Sequence, residues 1–378
     1  MGEEYPFPAR ITTRVRSAER ADGAEPALAA RLGIAALARH LGRPRAQPAF
    51  TLLAEQPGGT LVGHALLAHE RRRIGAATLE VGLLELEASA DSVALLVGAA
   101  VAAAADAGLP LLAMRGAPAS YAALGLAPCA LSSELRLPAP GVSGPQLRMA
   151  SAADAADLAA LADAGAAALP LAPARVAPDW RWLLEAPEAW LLLEDVRGRA
   201  VAYAALDAQG SVAEAAAADA GGARQLVYAL AARGVELLAL QPGHAVARAA
   251  LLLGGTMRVW APRPTEPTWL WGVVDLALAL AGLQDELARR LGGSRYAGWS
   301  GTLRLEGEAG LVRLRCAGGA VTVAAGAGPA DLLVGGLGLA AAPQLLLGYR
   351  AAADLRATGE LRCADVDLGL IDALFPVV

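Results

Sequence analysis

Residues 80–129 read EVGLLELEASADSVALLVGAAVAAAADAGLPLLAMRGAPASYAALGLAPC, and this stretch decides the fold. Leu79, Val81 and Leu83 alternate with Glu80 and Gly82, the period-2 pattern of a strand. Ser92 to Ala107 follow as an Ala-rich helix, apolar almost all round and therefore expected to be buried. Gly108-Leu109-Pro110 stops it, because Gly suits a helix C-cap and Pro cannot extend the turn. Leu111 to Met114 form the next short apolar run. Gly116 to Pro118 then turn the chain into a brief helix, Ala119 to Leu124, that ends at Gly125. The order is strand, helix, strand, short helix carrying a tyrosine.

Working outward, residues 10–16 and Phe50 to Ala54 read as strands, as does Thr60 to Ala68 beyond the hairpin signal Gln56-Pro57-Gly58-Gly59. Pro26 to His40 reads as a helix with Pro at its first position. Arg71-Arg72-Arg73 is the only tight basic cluster and reads as a solvated turn, and Leu131 to Leu137 would be the unit's last strand. Pro138 to Pro145 is too rich in Pro and Gly for a regular element and reads as a linker. A second unit opens with a strand at Gln146 to Met149 and a helix capped by Ser151 with Asp154 three residues on. A strand pair at Trp190 to Glu194 and Ala200 to Leu206 turns at Arg197-Gly198. Helix Ala223 to Arg233, strand Val235 to Leu240 and helix His244 to Leu253 follow. This repeats the first unit's plan, with Ala247 falling where Tyr121 stands. After a second linker, Ala261 to Pro267, come strand Trp269 to Val274, helix Leu276 to Leu291, strands near 301–306, 311–316 and 320–325, and short helices near 338–348, 350–357 and 365–374. The units are therefore expected at 1–140, 146–262 and 268–378.

Tyr121-Ala-Ala-Leu-Gly125-Leu126 resembles the Y-x-x-F-G-F/Y of the GNAT superfamily of acyl-CoA-dependent N-acetyltransferases. The third unit resembles the sterol-carrier-like domain that ends the Eis-like acetyltransferases. Gln344-Leu-Leu-Leu-Gly-Tyr349, Ala352-Ala353-Asp354-Leu355 and Leu370-Ile371-Asp372-Ala373-Leu374-Phe375-Pro376 carry that likeness. The resemblance implies a mixed fold class, α/β and α+β: two tandem GNAT-like mixed-sheet domains followed by a sterol-carrier-like α+β domain. It implies acetyl-CoA as co-substrate, a small-molecule amine as acceptor, and assembly into a homo-oligomer.

Composition narrows the alternatives. The 378 residues carry a formal net charge of −5 and no Lys or Asn, so there is no electrostatic footprint for nucleic acid. Three cysteines without a C-x-x-C spacing argue against a disulfide framework or zinc site and suit a reducing cytoplasm. The opening MGEEYPFPAR lacks an apolar signal core. The long uncharged run Leu332 to Tyr349 is broken by Gly, Pro343 and Gln344, so it reads as a strand and a buried helix, with no membrane span.

Chemistry is carried by few residues. The resemblance makes Tyr121 the general acid that protonates the departing thiolate, which a phenol of pKa about 10 can do within hydrogen-bond reach. It makes the terminal carboxylate, on Val378, a candidate base, although the tail Phe375-Pro-Val-Val378 is shorter than in that family and each missing residue removes up to about 3.5 Å of reach. Glu85 and Glu87 share one strand face, and Glu85 is the alternative base. The family's pyrophosphate loop, R/Q-x-x-G-x-G/A between strand and helix, falls on Leu86, Glu87, Ala88, Ser89, Ala90, Asp91 and Ser92. That segment has neither Gly nor Arg, and Glu85, Glu87 and Asp91 oppose a pyrophosphate, so weak or absent acetyl-CoA binding is expected. Asp91 reads as the helix N-cap. Arg72-Arg73-Ile74-Gly75-Ala76-Ala77 matches the loop pattern, but a strand follows it, so it reads as a strand-to-strand turn. His64 and His69 point to opposite faces, and His40 and His244 sit at helix ends; all four read as structural, with no metal site. Two further functions stay open: a catalytically silent scaffold, and a carrier of an apolar ligand in the third unit.

Overall fold

The computed structural model describes residues 13–17, 40, 42–47, 50–138, 144–166, 169–185, 189–207, 209–235, 237–238, 240–241 and 243–377. The expected helix Pro26 to His40 lies, apart from His40, outside the described residues, as does Val378. In chain order the first stretch gives β1 (Arg14–Ser17), β2 (Thr51–Glu55), β3 (Leu61–Ile74), β4 (Ala77–Ala88), α1 (Ala90–Asp106), β5 (Leu111–Gly116), α2 (Pro118–Tyr121) and β6 (Ala127–Pro128). Next come β7 (Ser132–Arg136), β8 (Leu147–Met149), α3 (Ala155–Ala166), β9 (Leu171–Pro173), α4 (Ala177–Leu184), β10 (Ala189–Glu194), β11 (Ala200–Leu206), β12 (Val212–Ala217), α5 (Ala220–Ala232), β13 (Leu237–Leu238), α6 (Ala245–Leu252) and β14 (Thr256–Trp260). The chain closes with β15 (Thr268–Val273), α7 (Leu276–Gly292), β16 (Gly301–Gly307), β17 (Gly310–Ala317), β18 (Ala320–Ala325), β19 (Leu332–Leu337), α8 (Ala341–Leu346), α9 (Ala352–Ala357) and α10 (Leu368–Leu374).

Among the described residues three sheets result, ordered β1-β2-β3-β4-β5-β15-β6 with β9 on β3, β14-β7-β13-β12-β11-β10-β8, and β18-β17-β16-β19. The first two trade strands across the Pro-rich segments. The strand at Leu131 to Leu137, expected to end the first unit, instead pairs with β13 and β14 in the second sheet. The strand at Trp269 to Val274, expected to open the third unit, lies between β5 and β6 in the first sheet. Alternation announces a strand but not its partner, and the usual rule that sequence neighbours pair fails at both places.

Alternation along the first sheet sorts its two faces. Leu84, Leu112, Met114 and Leu270 pack with Leu96, Val97 and Ala100 of α1. Val81, Leu83, Leu111, Ala113 and Trp271 face the other way, onto α7 and the third sheet. The first sheet is therefore sandwiched, which is why its central strands read as near-continuous apolar runs. In the second unit Trp180, Trp190 and Tyr203 form an edge-to-face core, with Trp180 at 5.0 and 5.4 Å from the other two rings.

Local expectations fare unevenly. Ser151 and Asp154 form the capping box read from sequence. The turn at Arg197-Gly198 joins β10 to β11, and Gly198 takes the left-handed φ of +74° that favours glycine there. Arg71 to Arg73 are not a solvated turn. They finish β3, which runs to Ile74, and Arg72 donates to Glu70 at 2.6 Å. The cap of α1 is Ser89, and Asp91 lies in the first helical turn. The helix begins two residues sooner because Ser89 N–H still bonds to Val62 O of β3, so the strand releases the chain there.

Candidate active site

The parallel ladder between β4 and β5 is short. It pairs Val81 with Leu111, Gly82 with Leu112, Leu83 with Ala113 and Leu84 with Met114, and then ends. Beyond that point β4 stays on β3, with Glu85 opposite Leu66 and Glu87 opposite His64. β5 stays on β15, with Arg115 opposite Trp269 and Gly116 opposite Thr268. Each strand follows its outer neighbour, so a wedge opens between them. Among the described residues, the inner edges of Glu85–Ala88 and Arg115–Gly116 have no ladder partner in it.

Tyr121 stands at the β5 wall of this wedge. It ends α2, and its ring lies on Gly116 so closely that a Cβ there would sit 2.5 Å from Tyr121 Cε2. Gly116 is thus the position that lets the ring approach the strand. Half-burial pushes the phenol above its usual pKa of 10.0. Four residues on, Gly125 has φ +80°, and a Cβ there would be 2.8 Å from Leu339 Cβ. The Tyr–Gly spacing therefore serves two contacts: the ring on β5, and the turn under the loop before α8.

The β4 wall ends at the N-terminus of α1. Ser89 Oγ and Ser92 Oγ are 2.8 Å apart and Ser92 N–H bonds to Ser89 O at 2.9 Å. The first N–H groups, on Ala90 and Asp91, have no intrahelical acceptor, and the helix dipole is positive there. Half of an anion cradle is therefore present in backbone form. The side chains do not add to it, since Asp91 in the first helical turn and Glu85 and Glu87 on the preceding strand are all exposed carboxylates. Leu86 is half-buried toward α1, and Ser92 is fully buried beneath the turn. Glu85 and Glu87 lie on the opposite face, in line with Val81 and Leu83, as their spacing required.

Two cations at this site went unread in the sequence. Arg43 Nη1 lies 3.9 Å from Glu85 Oε1 and its Nη2 donates to Glu70 at 3.0 Å, which tempers the charge of β4. Arg115 is exposed at the free end of β5, on the face shared by Leu111 and Ala113. Its only sequence signal was a charge closing an apolar run. Of the histidines, His64 stands opposite Glu87 in the β3–β4 ladder. His69 Nε2 is 2.7 Å from Glu80 Oε2, and His244 caps α6 through Nδ1 while its Nε2 is 2.8 Å from Ala215 O. Among the described residues no group of three or more His, Cys, Asp or Glu could hold a metal, and no helix is long and apolar enough to cross a membrane.

A scan against protein-family models finds no match, and no curated protein is similar in sequence. Solved structures are similar along nearly the whole chain. A GCN5-related N-acetyltransferase from Kribbella flavida superposes with TM-score 0.70 at 16% identity over 97% of both chains. One from Anabaena variabilis gives 0.68 at 13% identity, again over 97% of both. Eis1 from Mycobacterium abscessus gives 0.59 at 16% identity over 96% of this chain and 97% of that one. The chain has the fold of the GCN5-related N-acetyltransferases, from the first sheet through to the C-terminal helices.

Proposed function

We propose that the chain is an acyl-CoA-dependent N-acyltransferase that works in the β4–β5 wedge and takes an amine as acceptor. The observation that carries this reading is the end of the parallel ladder at Leu84 and Met114, with Tyr121 locked on Gly116 at its mouth. The shared fold supports it. An acyl thioester would supply the activated carbonyl. Glu85, exposed on β4, would accept the amine's proton through water as the N–C bond forms. Tyr121 would donate its proton to the thiolate released as the C–S bond breaks, and then recover a proton from solvent. A phenol is protonated at neutral pH, the state a general acid needs, and the half-burial of Tyr121 pushes its pKa further in that direction. Ala90 and Asp91 N–H groups would face the pyrophosphate, with Arg115 an exposed cation at the free end of β5 on the other wall.

A second reading, a scaffold that no longer binds the cofactor, is favoured by the exposed carboxylates of Glu85, Glu87 and Asp91 at the end of β4 and the start of α1. Calorimetric titration with acetyl-CoA separates the two. Affinity on the order of micromolar to tens of micromolar supports transfer. No heat with the ligand at millimolar concentration leaves only the scaffold. Where binding is seen, Tyr121→Phe should lower turnover by about a hundredfold, the worth of a positioned general acid. Unchanged turnover would remove Tyr121 from the chemistry.

A further inference from the structure

The outer edge of β3 is incompletely covered. β2 pairs with it only as far as Thr51 opposite Leu66, and β9 begins only at Pro173 opposite Arg72. Between them, among the described residues, Leu67 to Glu70 have no strand neighbour on that edge, and Arg71 O accepts from the Ala174 N–H just after β9 at 2.9 Å. A cavity of about 70 Å³ occupies the gap, closed by the loop holding Arg43 and Arg45 and by Asp179 and Trp182 of α4.

Its lining is rich in donors. Arg43, Arg45, Arg71 and Arg175 bring positive charge, against the carboxylates of Glu70 and Asp179. Both carboxylates are already engaged. Glu70 accepts from Arg43 at 3.0 Å and Arg72 at 2.6 Å, and Asp179 from Arg45 at 3.0 Å and the Val176 N–H at 2.9 Å. Arg175 is held by Glu214 at 2.5 Å. The Nε groups of Arg45 and Arg71 are left buried without a hydrogen-bond partner, the latter 3.6 Å from Glu80 Oε1 and so beyond bonding reach. The Nε groups of Arg72, Arg304 and Arg313 likewise make no hydrogen bond, but Arg45 and Arg71 are the two of this set that line one cavity, where a buried donor calls for an acceptor. Arg45 is also the non-glycine residue that takes a left-handed backbone among the described residues, at φ +65°. Such conformations persist where the surroundings impose them and cluster at binding sites.

Arg43 links this cavity to the wedge, because it touches Glu70 on one side and approaches Glu85 on the other. Glu70 stands opposite Val81, and Leu66 opposite Glu85, so the two levels are four residues of β3 apart at the backbone, yet the one guanidinium of Arg43 reaches toward a carboxylate at each, which brings the side-chain gap within the span of an extended six-carbon amino acid. We propose that the cavity seats the carboxylate of the acceptor, making that acceptor an amino acid or short peptide whose reacting amine is separated from its acid group by a long spacer. This rests on the reading of the wedge as an acyl-transfer site.

The test has a binding arm that needs no acetyl-CoA. 6-Aminohexanoate, hexylamine and inorganic phosphate are titrated calorimetrically into the full chain at constant ionic strength. The amino acid should bind at least about tenfold more tightly than hexylamine, and Arg45→Gln or Arg71→Gln should weaken it by about tenfold, the worth of a charge-assisted hydrogen bond. Circular dichroism establishes that each variant is folded, and either one alone suffices. Equal affinity for the two amines, an affinity untouched by both substitutions, or binding of phosphate alone would overturn the carboxylate assignment. In the turnover arm, release of CoA with 6-aminohexanoate should show a KM raised about tenfold by Arg45→Gln. Carboxylate-dependent binding without any CoA release would overturn acyl transfer while leaving the cavity's ligand class standing.

Discussion

Glu286 is the residue whose removal should be felt furthest. It lies on α7 with 1% of its surface exposed, and it reaches across to the β3–β4 hairpin. Its carboxylate accepts the Ala76 N–H at 3.0 Å, two bonds from Arg289 at 2.7 Å each and one from Arg290 at 2.7 Å. Against the cost of burial, these partners hold its carboxyl well down, from 4.5 to about 2. A carboxyl so displaced corresponds to about 3 kcal/mol of stabilisation of the ionised form. Solvent screens part of this, since Arg289 is 62% exposed, so about 2 kcal/mol is the better expectation for Glu286→Gln at pH 7. The sign follows from the depressed value. The stabilisation is complete above pH 4.5 and is lost as pH falls toward 2, so the gap between wild type and variant should roughly halve by pH 3. Urea unfolding reads the global gap. Hydrogen exchange across residues 74–80 reads the hairpin locally, where about 2 kcal/mol is roughly a thirtyfold faster exchange. A gap under about 0.5 kcal/mol at pH 7, or one as wide at pH 3 as at pH 7, would refute the claim that this ionised carboxylate ties α7 to the first sheet.

Further outcomes are expected. Gly116→Ala should displace the Tyr121 ring, since its Cβ would lie 2.5 Å from Cε2, and lower turnover at least about tenfold; an unaltered kcat would separate Tyr121 from the reaction. Glu87→Gln with Asp91→Asn removes two exposed carboxylates beside the start of α1 and should raise acetyl-CoA affinity severalfold at low salt, with the gain shrinking at about 0.5 M salt. Burial and Arg43 lower the pKa of His40 from 6.5 to about 4, so it folds neutral. The unfolded chain takes up that proton first as pH falls, so wild type should lose up to about 3 kcal/mol between pH 6.5 and 4, and His40→Leu should flatten that slope in urea titrations. Gly125→Ala forces a side chain into φ +80° and onto Leu339, and should cost at least about 1 kcal/mol, measurable as a lower unfolding midpoint.

Much of the fold was legible because its signals are local. The alternation at Leu79 to Leu83, the uniformly apolar helix after it, the stop at Gly108 to Pro110 and the capping box at Ser151 each depend on residues within one or two turns. Tyr121 and the two glutamates were placed for the same reason, since a strand face and a Tyr–Gly spacing are properties of a short segment. The polypeptide alone therefore determined most of the elements and the exposed acids at the end of β4 and the start of α1.

Long-range pairing was decided only in three dimensions. Nothing in SSELR or TWLWGV marks which sheet receives it, because backbone ladder groups are identical in every strand. The wedge itself follows from that choice, as β15 draws Arg115 and Gly116 away from β4. Arg43 and Arg45 meet Glu70, Asp179 and Glu85 across separations of up to 134 residues, so the donor-rich cavity has no signature in sequence. Side-chain chemistry is written residue by residue, whereas a site exists only where packing brings distant segments within a few ångströms.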